Sequence, residues 1–209
     1  YLLDGEGVDT AHFAAEPPDL VPGAPVFLSV ARLVRHKGVM EYVEAAKAVK
    51  RRFPEARFLL AGSSDGRHPD AVDEATLARW RREGVVELVG QVPDVRPLLA
   101  QATSFVLASD ATEGLPMSLM EAMAASRPLI TSDVPGNRET VTHEVNGVVV
   151  PYGDAPRLAE AMMSMAEDPA RVLRFGAASR AKALRRFDHR VVNEALMRHL
   201  GLPPRVRPR

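Results

Sequence analysis

An α/β fold, a parallel sheet covered by helices on both faces, is what this 209-residue sequence predicts, on three observations. Short apolar runs recur along it: VFLSVA (26–31), RFLLAG (57–62), VELVG (86–90), SFVLAS (104–109), PLITSD (128–133) and GVVVP (147–151). Segments of helical period stand between most of them. The runs are also apolar nearly throughout instead of alternating, as strands buried on both faces must be. Parallel neighbours need a crossover connection, and a helix supplies it, so repeated strand–helix alternation reads as one parallel sheet.

Taken in order, residues 1–24 show no periodicity and many chain breakers, so they read as a linker or junction entering a domain of residues 25–186. After the first run, VMEYVEAAKAVKRRF places Val39, Val43, Ala46 and Val49 on one face of a helix. Further helical patterns cover 73–83, 95–102, 116–125 and 155–166. Residues 169–200 read as two helices separated near FDHR, with no further strand, so 187–209 forms a last helix and a frayed Pro/Arg tail. Asn146 and Gly147 read as a turn.

Composition sets the outer bounds. With 46% hydrophobic and 26% charged residues the chain matches an ordinary soluble domain, and no apolar stretch approaches the roughly 20 residues of a membrane span. The absence of cysteine excludes disulfides, thiolate nucleophiles and cysteine-held metals. No signal-peptide pattern follows Tyr1, and the expectation is a cytoplasmic protein with no nucleic-acid partner. Net charge is zero but uneven: residues 1–170 hold 16 Lys/Arg against 25 Asp/Glu, and 171–209 hold 11 against 2. The tail cations Arg174, Arg180, Lys182, Arg185 and Arg186 follow helical spacing, which suits a solvated helix face or contact with an anionic membrane surface at the inner face of the cell membrane.

Ligands of open parallel sheets bind beyond the carboxyl ends of the strands. VFLSVARLVRHKG delivers Arg32 and Lys37 to that place, and a glycine then opens a helix. Arginine offers a planar fork and lysine a point charge, so the pair suits a diphosphate. Neither a G-x-G-x-x-G nor a Walker A string is present. A second constellation follows the 104–109 run: Glu113, Gly114, Leu115, Pro116, then a helix through Met117 and Ser118 to Glu121. Pro116 fits the first helical position, the amides of Met117, Ser118 and Leu119 point toward an anion, and Gly114 lets backbone approach a ligand. Along a helix Glu113 and Glu121 stand on the order of 12 Å apart, too far for the paired carboxylates of a glycosidase, so the two glutamates suit a long ligand touched at two places.

ARLVRHKG, VELVGQVPDV, EGLPMSLMEAMAASRPLITSDVPGNRE and VNGVVVP resemble, in order and spacing, the C-terminal half of GT-B glycosyltransferases of family 4, and among these the capsular and O-antigen enzymes that use UDP-sugars. The resemblance covers roughly residues 5–200. It implies a Rossmann-like donor-binding domain, with the acceptor site on an N-terminal domain lying outside this sequence. It implies that Arg32 and Lys37 clamp the diphosphate, Glu121 meets the ribose hydroxyls and Glu113 the donor sugar. The amides around Leu115 to Ser118 complete the site, and the Val92 backbone brackets the base. Arg32, Lys37 and Glu113 are thereby the catalytic candidates, for a retaining transfer without metal or other cofactor to a saccharide or polyprenyl-diphosphate-linked acceptor in surface polysaccharide synthesis. Ala31 departs from the family's usual glycine.

The six histidines show no metal-ligand spacing and read as surface or core residues, and nothing in the sequence requires His36, beside Lys37, to tune the clamp. Trp80 and Met117, Met120 and Met123 fall at helical spacing and read as core. A non-catalytic nucleotide-sugar-binding module is the alternative reading, and a phosphate-site hydrolase or phosphorylase a second, for which no nucleophile or cofactor lysine stands out.

Overall fold

The computed structural model describes residues 7–110 and 114–202. Its sheet has six strands, β1 (Val26–Val30), β2 (Arg57–Ala61), β3 (Glu87–Gly90), β4 (Ser104–Leu107), β5 (Leu129–Ser132) and β6 (Gly147–Val150). They lie in the order β3-β2-β1-β4-β5-β6, and every pairing is parallel. All six correspond to the predicted apolar runs. The helices are α1 (Val39–Arg52), α2 (Glu74–Glu83), α3 (Arg96–Gln101), α4 (Met117–Ala124), α5 (Pro135–Thr140), α6 (Ala155–Glu167), α7 (Pro169–Lys182) and α8 (His189–His199). This is the Rossmann-like architecture expected from the sequence, a parallel sheet with helices on both faces. No helix among the described residues is long and apolar enough to cross a membrane.

Successive strand residues point to opposite faces, so the inner strands feed two cores. Phe27, Phe58, Leu60, Val106 and Ile130 enter one, with Val39 and Tyr42 of α1, Leu77 and Trp80 of α2, and Leu158 and Met162 of α6. Leu28, Leu59, Phe105, Leu107 and Leu129 enter the other, with Leu99 of α3 and Leu119, Met120 and Met123 of α4. Burying both faces explains why the runs carry no polar alternation. The fully buried Tyr42 hydroxyl donates to the carbonyls of Phe27 (2.9 Å) and Leu59 (3.1 Å), which fixes α1 against β1 and β2.

Several expectations need correction. Helix α5 carries no periodic signal, being six residues long and opening with Pro135 and Gly136. The two helices do separate near FDHR as expected, and the joint is short: α7 continues through a π-helical turn, Ala183–Phe187, and only Asp188 interrupts the path before α8. Asn146 does lie in a turn, closed by the Val145 and Asn146 N–H groups on the Thr142 carbonyl, but the residue itself is not at the surface. Buried at 1% exposure, it accepts from the Thr142 N–H (2.7 Å) and donates to the Thr140 carbonyl (3.1 Å), tying the end of α5 to the start of β6. Met117 is 41% exposed and does not belong to the core, whereas Met120, Met123 and Trp80 do.

The chain leading to β1 is bound along its course. Val8 donates to the Phe187 carbonyl (2.7 Å) and accepts from the His189 N–H (3.0 Å), and Thr10 donates to the buried Asp188 carboxylate. The tail cations are likewise partly structural. Arg180 turns inward to donate to the carbonyls of Thr10 (2.6 Å) and Ala124 (2.8 Å), Arg186 pairs with Glu139, and Lys182 donates to Thr142 (3.1 Å).

Candidate functional site

β1 and β4 are neighbours at the middle of the sheet, while their successors β2 and β5 lie to opposite sides. The loops that leave their carboxyl ends therefore diverge and open a crevice between them. Arg32 and Lys37 stand on one wall, the start of α4 on the other.

The first wall is set by backbone geometry. Val34 is extended, Arg35–Lys37 make one 3₁₀ turn, and Gly38 takes the left-handed conformation at φ 71°. Gly38 donates to the Arg35 carbonyl (2.9 Å), and its own carbonyl accepts from Tyr42 (2.9 Å), so Gly38 alone separates Lys37 from the start of α1 at Val39. Glycine is required here for two reasons. A side chain strains a positive φ, and a Cβ would lie 2.1 Å from the Ala108 carbonyl oxygen, in the loop after β4. Close contact between these two loops is what brings Lys37 to the crevice. Gly62, in the loop after β2, packs against the backbone of Ala31, so that a Cβ there would lie 1.9 Å from the Ala31 carbonyl oxygen.

On the second wall Pro116 is the N-cap of α4, one position before the place expected for it. Its carbonyl accepts from Leu119 (3.1 Å) and Met120 (3.3 Å). Of the amides named from the sequence, Leu119 is thus engaged within the turn, and Met117 and Ser118 are the pair at the crevice. A cavity of about 210 Å³ is lined by Val30, Ala31, Arg32, Lys37, Leu107, Pro116, Met117 and Ser118. Five of the predicted site residues meet there. Gly114, Leu115 and Glu121 follow the same loop and helix but do not form its wall, and Val92 lies half-buried in the loop after β3. Glu113 lies outside the described residues. A larger hollow of about 570 Å³, between residues 12–19 and α3, contains none of the predicted residues.

Two cations crowd one wall of the crevice. Burial, and next the neighbouring Arg32, push the Lys37 ammonium below the ordinary lysine range, with Asp110 acting in the opposite sense. A bound anion would relieve both effects. One turn along α4, burial pushes the Glu121 carboxyl up to about 7. No group of three His, Asp or Glu side chains among the described residues could hold a metal ion.

Sequence reasoning missed three contributors. Val30 and Leu107 complete the cavity wall from the strand ends. Asn137 of α5, fully buried, donates to Ser132 Oγ (3.0 Å) and Ser109 Oγ (3.3 Å) and so steadies the end of β4. The His36 ring meets Asp70 at 2.8 Å and does not reach into the crevice through any contact seen here. A glycine after the second cation was the only local signal for this packing.

Residues 24–168 match the family model described as "Glycosyl transferases group 1". Among curated relatives, the amylovoran biosynthesis glycosyltransferase AmsK of Erwinia amylovora is 30% identical, over 91% of this chain and 48% of its own. The alpha-maltose-1-phosphate synthase of Mycobacterium tuberculosis is 34% identical, over 83% of this chain and 46% of its own. Among solved structures, Anabaena Alr3699/HepE in complex with UDP superposes with a TM-score of 0.81 at 24% identity, over 93% of this chain and 56% of that one. This chain spans about half the length of the curated relatives it matches.

Proposed function

The chain belongs to the group 1 glycosyl transferases, and from that premise we propose that it is the donor-binding half of a retaining, metal-independent enzyme that takes a UDP-sugar. The observation that carries this reading is the meeting of Arg32, Lys37 and the start of α4 around one cavity at the point where strand order reverses. In this reading the two cations and the Met117 and Ser118 amides hold the diphosphate, Glu121 accepts from the ribose hydroxyls, the Val92 backbone brackets the base, and Glu113 meets the sugar. During transfer positive charge grows on the anomeric carbon and negative charge on the leaving β-phosphate. Fixed cations and amides stabilise the latter without reorganising at the moment of reaction.

The names of the relatives support sugar transfer as the reaction class, and AmsK supports a polysaccharide or its lipid-linked precursor as acceptor. Transfer needs the acceptor hydroxyl within about 3 to 3.5 Å of the anomeric carbon. We assign that task to a second domain outside these residues. The test is to titrate the chain with UDP, then supply UDP-sugars and a polyprenyl-diphosphate-linked saccharide. Thermal stabilisation by UDP with donor hydrolysis at most is expected, whereas efficient transfer by this chain alone would overturn the division of labour. UDP affinity is also expected to be the same within about threefold in EDTA and in Mn²⁺, because the cations already supply the charge. Binding seen only with metal would contradict metal independence.

Glu121 provides a pH test. Hydroxyl donors favour the carboxylate, so UDP affinity should rise with pH through about 7 and then level off. For the free fold the sign is opposite. A carboxyl raised by burial keeps its proton in the folded state while the unfolded chain loses it, so stability falls as pH rises from the ordinary glutamate range to about 7. Glu121→Gln should therefore stabilise the free chain relative to wild type at pH 8, by on the order of 1–2 kcal/mol after solvent screening, and not at pH 4. A Glu121→Gln melting profile parallel to wild type at both pH values would refute this account of the residue.

A further inference from the structure

We propose that Asp70, in the segment between β2 and α2, is the positioning residue of the diphosphate clamp and acts through His36. The inference rests on the donor-site reading above and adds to it a residue that contacts neither cation through any hydrogen bond seen here.

A single residue, His36, joins three strand-end loops through the two peptide groups that flank it. The His36 N–H donates to Asp70 Oδ2 (2.9 Å), and the His36 Nδ1 meets the same oxygen at 2.8 Å. On the other side the His36 carbonyl accepts from the Asp110 N–H (2.8 Å), in the loop that follows β4. His36 is the middle residue of the 3₁₀ turn whose last residue is Lys37. Turning or releasing the His36 peptide would therefore displace the lysine and loosen the loop that leads to α4. Asp70 is itself held in place, since its N–H donates to His68 Nδ1 (3.1 Å) and the His36 and His68 rings lie 5.5 Å apart.

The carboxylate is separable from the rest of this junction. Backbone bonds already join the two segments: Leu33 donates to the Ser63 carbonyl (3.0 Å), Arg35 to the Asp70 carbonyl (2.9 Å) and Val72 to the Leu33 carbonyl (2.9 Å). None of them uses the Asp70 side chain. Losing the carboxylate leaves this zip intact and frees only the His36 peptide and ring. The effect is then expected on the ligand that needs Lys37 and not on the fold. Because one oxygen takes both bonds, an asparagine can present its carbonyl oxygen in the same place.

The experiment compares UDP with UMP on wild type, Asp70→Ala, Asp70→Asn, His36→Ala and the Asp70→Ala/His36→Ala double variant, with melting temperatures in parallel. UMP lacks the β-phosphate, so the preference for UDP reports the clamp. Asp70→Ala should weaken UDP roughly tenfold, as expected for two lost hydrogen bonds, and UMP much less, with the melting temperature nearly unchanged. Asp70→Asn should recover UDP affinity to within about threefold of wild type. In the His36→Ala background Asp70→Ala should add nothing, because its effect passes through His36. Wild type that binds UDP while Asp70→Ala keeps the full UDP preference overturns the inference alone, as does an equal loss for both nucleotides together with a fall in melting temperature. Wild type indifferent to UDP overturns the donor-site reading and this inference with it.

Discussion

Gly38→Ala is expected to destabilise the protein by about 2–5 kcal/mol and to abolish measurable nucleotide binding. Two terms add. A non-glycine residue in the left-handed region costs about 1–2 kcal/mol, and Gly38 sits there at φ 71°. The second term is steric: a Cβ would lie 2.1 Å from the Ala108 carbonyl oxygen and 2.4 Å from its carbon. Those atoms are backbone, in the loop after a central strand, and forcing them apart costs a further 1–3 kcal/mol or so. Against a total stability of about 5–15 kcal/mol this is a large fraction. The displacement would also separate the Lys37 wall from the α4 wall, and so binding should be lost even where the variant still folds. Gly66→Ala is the control, since Gly66 has no positive φ and a Cβ there meets nothing within 4 Å. Urea unfolding of both variants tests the argument. A loss below about 1 kcal/mol for Gly38→Ala would mean that the two loops part easily and that their contact does not set the crevice.

How much of this was legible in the sequence depended on whether the signal was local. Five of the six strands were readable because burial on both faces removes most polar residues from their runs, the half-exposed edge strand β3 because its run is short and apolar after Glu87, and α1, α2, α4 and α6 because their apolar faces repeat over ten residues or so. Arg32, Lys37 and the start of α4 were readable because a strand end, two cations and a glycine, and elsewhere a proline before a helix, each lie within a few positions. Helix α5 was not, since six residues opening with Pro135 and Gly136 carry too little period. Pairings between distant residues had no signal at all. His36 and Asp70 are 34 positions apart, and Arg180 reaches Thr10 across 170. Spacing could place Arg180 on a helix, but only the packing of the chain before β1 shows that its guanidinium turns inward. Met117 erred in the other direction. Helical spacing grouped it with Met120 and Met123, yet at the first position of α4 it faces the crevice, and only the two methionines a turn further on are covered by the sheet.

The opposing electrostatics of the clamp lead to the second large effect. Arg32→Ala and Lys37→Ala are each expected to weaken UDP by about 2 kcal/mol, roughly thirtyfold, since a hydrogen bond to a charged group is worth about 1.5–3 kcal/mol. Burial, and next repulsion from Arg32, disfavour the charged form of Lys37 in the free protein more than Asp110 favours it. The two cations are thus held together at a small cost to the fold, which a diphosphate relieves. Each variant should consequently bind worse while its ligand-free melting temperature stays level or rises slightly, the reverse of what a structural cation would give. The salt dependence should change as well, because each removed cation takes away one screened attraction, so UDP affinity in the variants falls less steeply with ionic strength than in wild type. Arg32→Lys should recover only part of the loss, since an ammonium cannot present the two parallel donors of a guanidinium to neighbouring phosphate oxygens. Calorimetric titration at two salt concentrations reads all of these outcomes. Unchanged UDP affinity in both alanine variants would remove the phosphate from this wall of the crevice. Weaker binding accompanied by a lower ligand-free melting temperature would instead make the cations supports of the loop, acting on the nucleotide only through its shape.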